Sequence, residues 1–487
     1  MSESVSSEIP IRTAIVHAIG AVAAFHLAYH WQAMALMIAF YLFALASLSR
    51  LRTARQAFYF GVAIGFGVYA PPLEFFSTIF GISSIALWLV LAFWHGLFLL
   101  LARQCRIRFG WQTAVLLLPF LWTGIEYFRS EVYHLRFSWL SAGFAFADST
   151  MYAPFRWLGV YGIGFFLMTL VSGLLLANRS RTVLAASFTV AIAALLFIAP
   201  DSENPAGSRS LRVAGMQMEF PTEPELLSGL NQLIVKEPDA DLIVLSEYSF
   251  EGAVPGAVTN WCRRHRKHVI AGGRDRTNET NFYNTAFVIG PTGDIVFKQA
   301  KSVPIQFFQD GLPATEQRVW DSPWGKLAIG ICYDLSYRNV MDEFVRQGAE
   351  ALIIPTMDVQ DWGKEQHDLH ARVAPMRSME YGLPILRLAS SGVSQLTTTG
   401  GEVIAEAPFP GQHKMLTGRL RLNGRGAIPI DRFLAPFSYL VTLGLCLFFI
   451  FEPILRRIPT PMNWQRSRSL IPVRLGNPPA VTAKGFV

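Results

Sequence analysis

The segment Leu327-Ala-Ile-Gly-Ile-Cys-Tyr-Asp334 contains a short apolar run of β type that leads to Cys332, and the chain turns directly after this cysteine. A thiol at the exposed end of a buried strand is suited to act as a nucleophile, because the strand fixes its position while the turn leaves it accessible. The same pattern is compatible with a core cysteine that fills a small apolar gap.

Two charged residues upstream favour the nucleophile over the core residue. The run Leu242-Ile-Val-Leu-Ser-Glu247 is a second apolar strand that ends in an acid. Lys301 lies between this acid and the cysteine, in a short basic stretch. The sequence therefore predicts an acid and a thiol at the ends of two strands, with a lysine between them along the chain.

The composition of the chain is too apolar for an ordinary soluble protein. Hydrophobic residues occupy 52% of its 487 positions and charged residues only 16%, whereas soluble domains average about 25% charged residues. The apolar residues concentrate in 11–200 and 433–455, in runs long enough for membrane spans, each of which needs about 20 residues. We therefore predict a polytopic α-helical membrane protein with an α/β domain inserted before its last span.

The apolar runs predict eight spans, at residues 11–29, 31–49, 56–76, 81–102, 110–128, 153–176, 182–199 and 433–455. Histidines and a glycine interrupt the first two runs, which are predicted to form a tight helical hairpin. The predicted organisation is an N-terminal membrane domain of seven spans (1–200), a soluble domain (210–422), a transmembrane helix (433–455) and a basic tail (456–487).

Arginines follow every second predicted span, which is the pattern of the positive-inside rule when both termini are cytoplasmic. The soluble domain then lies on the outer face of the membrane. These loops also account for much of the net charge of +7, so the charge predicts no nucleic-acid partner. The four cysteines have no spacing typical of a disulfide framework or a metal site.

The soluble domain alternates predicted strands and helices. The strands are predicted at 211–217, 241–246, 269–272, 285–289, 294–297, 326–331, 351–354, 385–389 and 403–406, and the helices at 222–237, 257–266, 337–347 and 364–382. Apolar strands that alternate with helices are typical of a layered α/β fold in which helices cover the sheet.

A family resemblance rests on the residues at the strand ends. Glu247, a lysine in the next third of the domain, and Gly330-Ile-Cys-Tyr-Asp334 resemble the Glu-Lys-Cys arrangement of the nitrilase superfamily, which implies an α-β-β-α sandwich. With its membrane spans, the chain resembles the apolipoprotein N-acyltransferases over nearly its whole length. Further matching positions are Pro119 to Glu126, Gly159 to Gly162, His370, Ala374, Arg377, Glu380, Gly382, Pro384, Arg387 and Ser391 to Ser394.

The chain departs from this family at three places. Ser246 stands where the family usually has a proline before the acid. After Pro304 the chain continues as Ile-Gln-Phe-Phe-Gln-Asp310 instead of a glycine–glutamate pair, so an acid that supports the site in the family is expected to be missing. Gln360 stands at the place of the family's usual tryptophan, two residues before Trp362. These departures predict a divergent branch.

The resemblance assigns roles to three residues. Cys332 would be the nucleophile, Glu247 the general base, and Lys301 the group that stabilises the oxyanion, with Lys298 as the alternative lysine. The implied reaction moves a phospholipid acyl chain to Cys332 as a thioester, and then to the N-terminal amine of a diacylglyceryl-cysteine on an apolipoprotein. It implies a bacterial inner-membrane location and calls for no cofactor.

Both implied substrates are lipids, so we expect the site to lie at the outer membrane surface, because each CH₂ exposed to water costs about 0.8 kcal/mol. Phe282 and Tyr283 are predicted to form a lid, and Glu126 to pair with Arg129. The predicted substrate contacts are Tyr333, Asp334, Phe307, Phe308, Trp139, Trp362, His370, Arg377 and Glu380.

Two other functions remain compatible with the sequence. One is a membrane-tethered amidase, or an acyltransferase with another amine acceptor. The other is a scaffold without activity. A hydrolase would release free fatty acid, an acyltransferase would form an N-acyl product, and a scaffold would form neither.

Overall fold

The computed structural model of the protein describes residues 8–147, 155–177, 209–422 and 424–455. The chain divides into two compact units, one up to Leu443 and the other from Gly444 onward. The first unit contains the N-terminal helices and the α/β fold, and the second continues the last helix to Leu455. The predicted span at 182–199 and the predicted tail at 456–487 lie outside the described residues.

Helices occupy the other predicted spans. They are α1 (Ile11–His30), α2 (Met37–Leu48), α3 (Ala54–Tyr69), α4 (Phe75–Phe80), α5 (Ser84–Phe109), α6 (Trp111–Tyr127), α7 (Phe155–Ala177) and, at the C-terminal end, α13 (Asp431–Leu455). Among the described residues, four segments are long and apolar enough to cross a membrane: Ile11–His30, Phe75–Phe109, Phe155–Leu176 and Asp431–Glu452. The number of eight spans stays a prediction.

Three of the predicted spans have different limits in the structure, since the fourth, predicted over 81–102, is helix α5 and ends only at Phe109. The second begins only at Met37, because a short 3₁₀ turn at Gln32–Met34 precedes it. The third ends at Tyr69 rather than at residue 76, where Pro71 and Pro72 follow. Proline has no amide hydrogen and disfavours helical geometry in the residue before it, so the helix stops there. Helices α1 and α2 pack against each other, as the predicted hairpin requires.

Residues 209–422 contain two six-stranded sheets. The first has the order β12-β1-β2-β3-β4-β5 and the second the order β11-β10-β9-β8-β7-β6. The strands are β1 (Arg209–Met216), β2 (Leu242–Leu245), β3 (His268–Arg276), β4 (Phe282–Ile289), β5 (Ile295–Ala300), β6 (Val319–Ser322), β7 (Gly325–Ile329), β8 (Ala351–Thr356), β9 (Ile385–Ala389), β10 (Ser394–Thr397), β11 (Val403–Ala407) and β12 (Met415–Leu422).

The core of this fold lies between the two sheets. Val213 and Val244 of the first sheet belong to one buried cluster with Ile329, Ile353 and Leu386 of the second. Helices α8 (Glu223–Lys236) and α9 (Gly256–His265) cover the outer face of the first sheet. Helices α10 (Arg338–Arg346), α11 (Lys364–Ala371) and α12 (Val373–Tyr381) follow strands of the second, and α12 packs on β9 and β10. The layered α/β prediction is confirmed.

The structure differs from the prediction in three additional strands and in the division of one helix. Strands β6, β10 and β12 were not predicted, and the helix predicted over 364–382 is divided at Arg372 into α11 and α12. Strand β12 returns from the end of the domain to pair antiparallel with β1. Because its partner is about 200 residues earlier in the sequence, local patterns carry little information about this pairing.

A buried ion network holds the start of α13 against the α/β fold. Arg432 Nε lies 2.8 Å from Asp342 Oδ1, and Arg432 Nη1 lies 2.9 Å from Glu380 Oε1. The same guanidinium donates to the hydroxyl of Tyr381. Glu380 Oε1 also accepts a 3.3 Å hydrogen bond from the backbone N–H of Val160 in α7. The network therefore joins two apolar helices to the domain that carries Cys332.

We predict that Arg432→Ala destabilises the protein by roughly 3–5 kcal/mol, because it leaves buried carboxylates without their cation. The melting temperature in detergent would fall by several degrees. Arg212→Ala is the matched control, since its 2.8 Å contact with Asp239 is exposed and such pairs contribute less than about 1 kcal/mol. Equal melting temperatures for the two variants would contradict this role.

Candidate active site

Cys332 begins a single turn of 3₁₀ helix (Cys332–Ser336) shortly after β7, with a φ of +51°. Residues with a side chain rarely adopt this conformation, and they keep it only where the surroundings enforce it. Asp334 supplies that restraint. Its carboxylate accepts hydrogen bonds from the backbone N–H of Ile331 at 3.0 Å, of Ser302 at 3.0 Å and of Val303 at 2.7 Å.

These bonds occupy Asp334, which was predicted to contact substrate. It is fully buried and ties the turn of Cys332 to the loop after Lys301. The structure therefore does not support the prediction that Asp334 contacts substrate. Asp334 instead fixes Cys332 relative to Lys301.

Glu247, Lys301 and Cys332 come together at the ends of β2, β5 and β7. Lys301 Nζ lies 2.9 Å from Glu247 Oε1, and both side chains are fully buried. Glu247 Oε2 accepts a 2.7 Å hydrogen bond from Met357 N–H, while the carbonyl oxygen of Met357 lies 3.7 Å from Cys332 Sγ. The structure thus brings the predicted acid, lysine and thiol into one enclosed site.

A second acid in this site was not predicted. Asp310 Oδ2 lies 2.7 Å from Lys301 Nζ, so the expectation that the supporting acid is missing is wrong. Asn284 Nδ2 donates to both acids, at 2.5 Å to Glu247 and 2.8 Å to Asp310. Tyr248 donates its hydroxyl to Asp310 at 2.8 Å. The sequence contains one indication of this second acid, because Asp310 is the only acid between Lys301 and Glu316.

The charges of these groups decide which of them exchanges protons. Burial raises the pKa of Cys332 well above its usual 9.0 and raises that of Glu247 above 4.5. Burial would lower the pKa of Lys301, but the carboxylates of Asp310 and Glu247 outweigh it and raise the value well above 10.5. Burial also opposes the charge of Asp310, yet Lys301 brings its pKa below 3.8. Asp310 therefore balances the ammonium, and Glu247 is left to accept a proton.

Lys298, the alternative lysine, lies outside this site. It is in β5 with an exposed side chain, and its Nζ is 2.5 Å from Asp275 Oδ2. The geometry therefore favours Lys301 as the residue that faces the thiol.

A mainly apolar cavity reaches Cys332 from the side of the N-terminal helices. Its volume is about 120 Å³. Phe76 of α4 and Leu87 and Leu91 of α5 form part of its wall. The predicted contacts that line it are Tyr333, Phe307, Phe308, Trp139, Trp362 and His370.

Aromatic rings from two parts of the chain meet along this cavity. The ring centroid of Phe80, at the end of α4, lies 5.8 Å from that of Phe307 and 6.1 Å from that of Phe308. Phe308 in turn lies 5.8 Å from Trp362. Phe307 is 68% exposed and has a φ of +69°. The loop that carries Asp310 thus also contacts the apolar helices.

Arg377 and Glu380 do not line the cavity, contrary to the prediction that they contact substrate. They pair with each other, and Arg377 also donates to the carbonyl oxygens of Leu335 at 3.0 Å and Ser336 at 2.7 Å. These carbonyls belong to the turn that begins at Cys332. The two residues therefore support the turn that begins at Cys332 and the ion network of α13.

Two further predictions are wrong. Phe282 and Tyr283 are the first residues of β4, where they pair with β3, so they do not form a lid. Glu126 accepts a 2.7 Å hydrogen bond from Ala142 N–H, while Arg129 donates to the Phe137 carbonyl oxygen at 2.9 Å. Each charged side chain thus has a backbone partner in the segment that follows α6, while Glu126 Oε2 is buried without a hydrogen-bond partner among the described residues.

Comparison with known proteins matches two family models. A carbon-nitrogen hydrolase model matches residues 212–428, and a model of the apolipoprotein N-acyltransferase N-terminal domain matches residues 18–174. An apolipoprotein N-acyltransferase of Shewanella oneidensis is 26% identical over 420 residues, which cover 73% of this chain and 80% of that protein. One of Haemophilus ducreyi is 24% identical over 399 residues, or 72% and 78%. The structure of Nit3 from Saccharomyces cerevisiae, a nitrilase-superfamily member, is 19% identical and covers 44% of this chain and 90% of its own, with a TM-score of 0.38.

We predict that Asp310→Asn makes Glu247 a weaker base, because the charge of Asp310 raises the pKa of Glu247. Glu247 must be ionised to accept the thiol proton, so the rate of Cys332 alkylation by iodoacetamide falls as the pH drops through that pKa. In the variant, this acidic limb moves to lower pH and the plateau rate falls about tenfold.

The alkylation is followed by mass spectrometry of the Cys332 peptide. Asp275→Asn is the control, because it removes a similar carboxylate from the exposed pair with Lys298. A profile for Asp310→Asn that coincides with that of the control would show that Asp310 does not set the basicity of Glu247.

Proposed function

Because the chain belongs to the apolipoprotein N-acyltransferase family, whose members act in lipoprotein maturation, we propose that it transfers a phospholipid acyl chain through a Cys332 thioester. The acceptor is the N-terminal amine of the diacylglyceryl-cysteine of an apolipoprotein. Glu247 acts as general base and Lys301 stabilises the oxyanion.

One observation supports this assignment above the others. The cavity that reaches Cys332 has one wall from the α/β fold and another from the apolar helices α4 and α5. An acyl chain of a membrane lipid that reaches the thiol this way stays in apolar surroundings, which avoids about 0.8 kcal/mol for each CH₂ exposed to water. A site for a small soluble amide has no need of such a wall.

The first half-reaction uses the buried pair beside the thiol. Glu247 takes the proton of Cys332, and the sulfur attacks the carbonyl carbon of the phospholipid ester. Lys301 has three N–H donors, of which Glu247 and Asp310 use two. The third is available for the oxyanion, together with the backbone N–H of Tyr333. The C–O bond then breaks, Glu247 returns the proton to the glycerol oxygen, and a lysophospholipid leaves.

The second half-reaction resolves the thioester. The neutral amine of the acceptor attacks the thioester carbon, the C–S bond breaks, and an amide forms while Cys332 regains a proton through Glu247. Because a thioester is a good acyl donor to an amine, this step runs downhill. The chain therefore needs no cofactor for either half-reaction in this proposal.

The same proposal includes the location of the site. Arginines follow α2 at positions 50, 52 and 55 and lie at the end of α5 at positions 103, 106 and 108. Under the positive-inside rule these ends are cytoplasmic. The α/β domain then lies on the outer face of the bacterial inner membrane, between an N-terminal membrane domain and a final span.

We predict that the purified protein, given phosphatidylethanolamine and a diacylglyceryl-cysteinyl peptide, forms N-acyl peptide and lysophospholipid in equal amounts. Cys332→Ala forms neither, and Glu247→Gln loses about 10²–10⁴-fold in rate because it cannot accept the thiol proton. Liquid chromatography with mass detection measures both products. Free fatty acid in place of N-acyl peptide would indicate a hydrolase, and the absence of every product would indicate a scaffold.

We also predict that Leu87→Trp shifts the donor preference toward shorter acyl chains, because the larger side chain fills part of the cavity wall. The rate with a 16-carbon donor would fall about tenfold relative to an 8-carbon donor, a difference of about 1.4 kcal/mol. Leu116→Trp, on an exposed face of α6, is the control. An unchanged rate ratio in Leu87→Trp would place the acyl chain elsewhere.

A further inference from the structure

A pair of buried residues beside the site is not used by the mechanism above. Asp358 follows β8, and His370 lies in α11. His370 Nδ1 is 2.8 Å from Asp358 Oδ1, and the other carboxylate oxygen of Asp358 pairs with Arg387. All three side chains are almost fully buried. This carboxylate therefore fixes the orientation of the imidazole ring.

The ring belongs to the same cavity as the nucleophile. His370 and Cys332 both line it, and Trp139 stacks on the imidazole with a centroid distance of 4.8 Å. Met357, whose carbonyl oxygen lies 3.7 Å from Cys332 Sγ, directly precedes Asp358. Within the described part of the chain, His370 Nε2 has no hydrogen-bond partner, although the residue is only 2% exposed. A buried polar atom without a partner costs stability, so it calls for a function.

The second half-reaction releases a proton that the groups named in the mechanism above do not accept. An α-amine has a pKa of about 7.7–8.0, so at neutral pH it arrives mostly as an ammonium. On becoming an amide nitrogen it loses two protons. One of them returns to the Cys332 sulfur through Glu247. The other is surplus, and Lys301 cannot take it because it is already charged.

We propose that His370, oriented by Asp358, removes this surplus proton from the ammonium of the acyl acceptor before the amine attacks the thioester. This inference rests on the proposed function. The N–H bond of the ammonium breaks, its electron pair stays on the nitrogen, and the proton forms a bond to His370 Nε2. Asp358 accepts the Nδ1–H hydrogen bond of the resulting imidazolium. The proton passes to water when the product leaves.

The charged groups around the ring suit this role. Burial lowers the pKa of His370 below 6.5; Asp358 opposes this shift, and Arg387 and then His367 add to it. The ring is therefore neutral at neutral pH and has a free lone pair. An ammonium that enters the same apolar cavity is destabilised by burial as well, which favours its loss of a proton. The other titratable or charged residues that line the cavity are Cys332, Tyr333 and Arg136.

The test separates the two half-reactions in His370→Asn, whose side-chain amide keeps a donor toward Asp358 but has no Nε2. Thioester formation with phosphatidylethanolamine is measured first, and transfer from the isolated acyl-enzyme to a diacylglyceryl-cysteinyl peptide is then measured from pH 6 to 9.5. At pH 6.5 we expect transfer to lose about 100-fold, well beyond any loss in thioester formation. At pH 9.5, where the amine is already neutral, the loss in transfer rate beyond the loss in thioester formation is expected to be about threefold or less.

His413→Asn is the matched control, because His413 is exposed and lies outside the cavity. A loss in His370→Asn that is equal in both half-reactions, or equal at every pH, would overturn the inference and leave the proposed function intact. A wild-type protein that forms no thioester would overturn the proposed function, and this inference with it.

A second readout needs no variant. The transfer rate of the wild-type acyl-enzyme is expected to stay nearly constant between pH 7 and pH 8.5, because His370 supplies the neutral amine. A wild-type rate that rises about tenfold per pH unit up to the pKa of the free amine would mean that only solvent deprotonates the acceptor. That result would also overturn the inference.

Discussion

The rest of the site depends on the ion pairs that the buried ammonium of Lys301 makes with two carboxylates. An ion enclosed in this way is stable only when it is paired and hydrogen-bonded, and Glu247 and Asp310 meet that requirement at 2.9 and 2.7 Å. Two acids beside one cation leave one carboxylate more easily protonated than the other. In the proposed mechanism this arrangement would supply both a fixed charge for an oxyanion and a base for the Cys332 thiol.

The position of this site explains why the chain combines two kinds of structure. The sandwich aligns strand ends so that an acid, a lysine and a thiol converge. Helices α4 and α5 form an apolar wall of the cavity that reaches the thiol. The network around Arg432 and the bonds from Arg377 join the nucleophile turn to α7 and α13. These contacts therefore link the turn of Cys332 to the apolar helices.

Sequence patterns predicted those features that depend on local order. Cys332 and Glu247 each follow an apolar strand, so their convergence could be expected once the strands were assigned. Asp310 could not be placed, because its contact with Lys301 depends on the path of the loop between them. Strand β12 and the role of Arg377 depend on partners distant in sequence. The expected lid at 282–283 was wrong because β4 begins earlier than its apolar pattern indicates.

In the proposed mechanism, Cys332 carries the acyl group between two lipid substrates. Mass spectrometry of the Cys332 peptide, after incubation of the protein with phosphatidylethanolamine alone, tests it most directly. We expect an adduct of fatty-acid mass on this peptide that hydroxylamine removes, and none in the peptides that carry the other three cysteines. Intact phospholipid with an unmodified Cys332 peptide would contradict it.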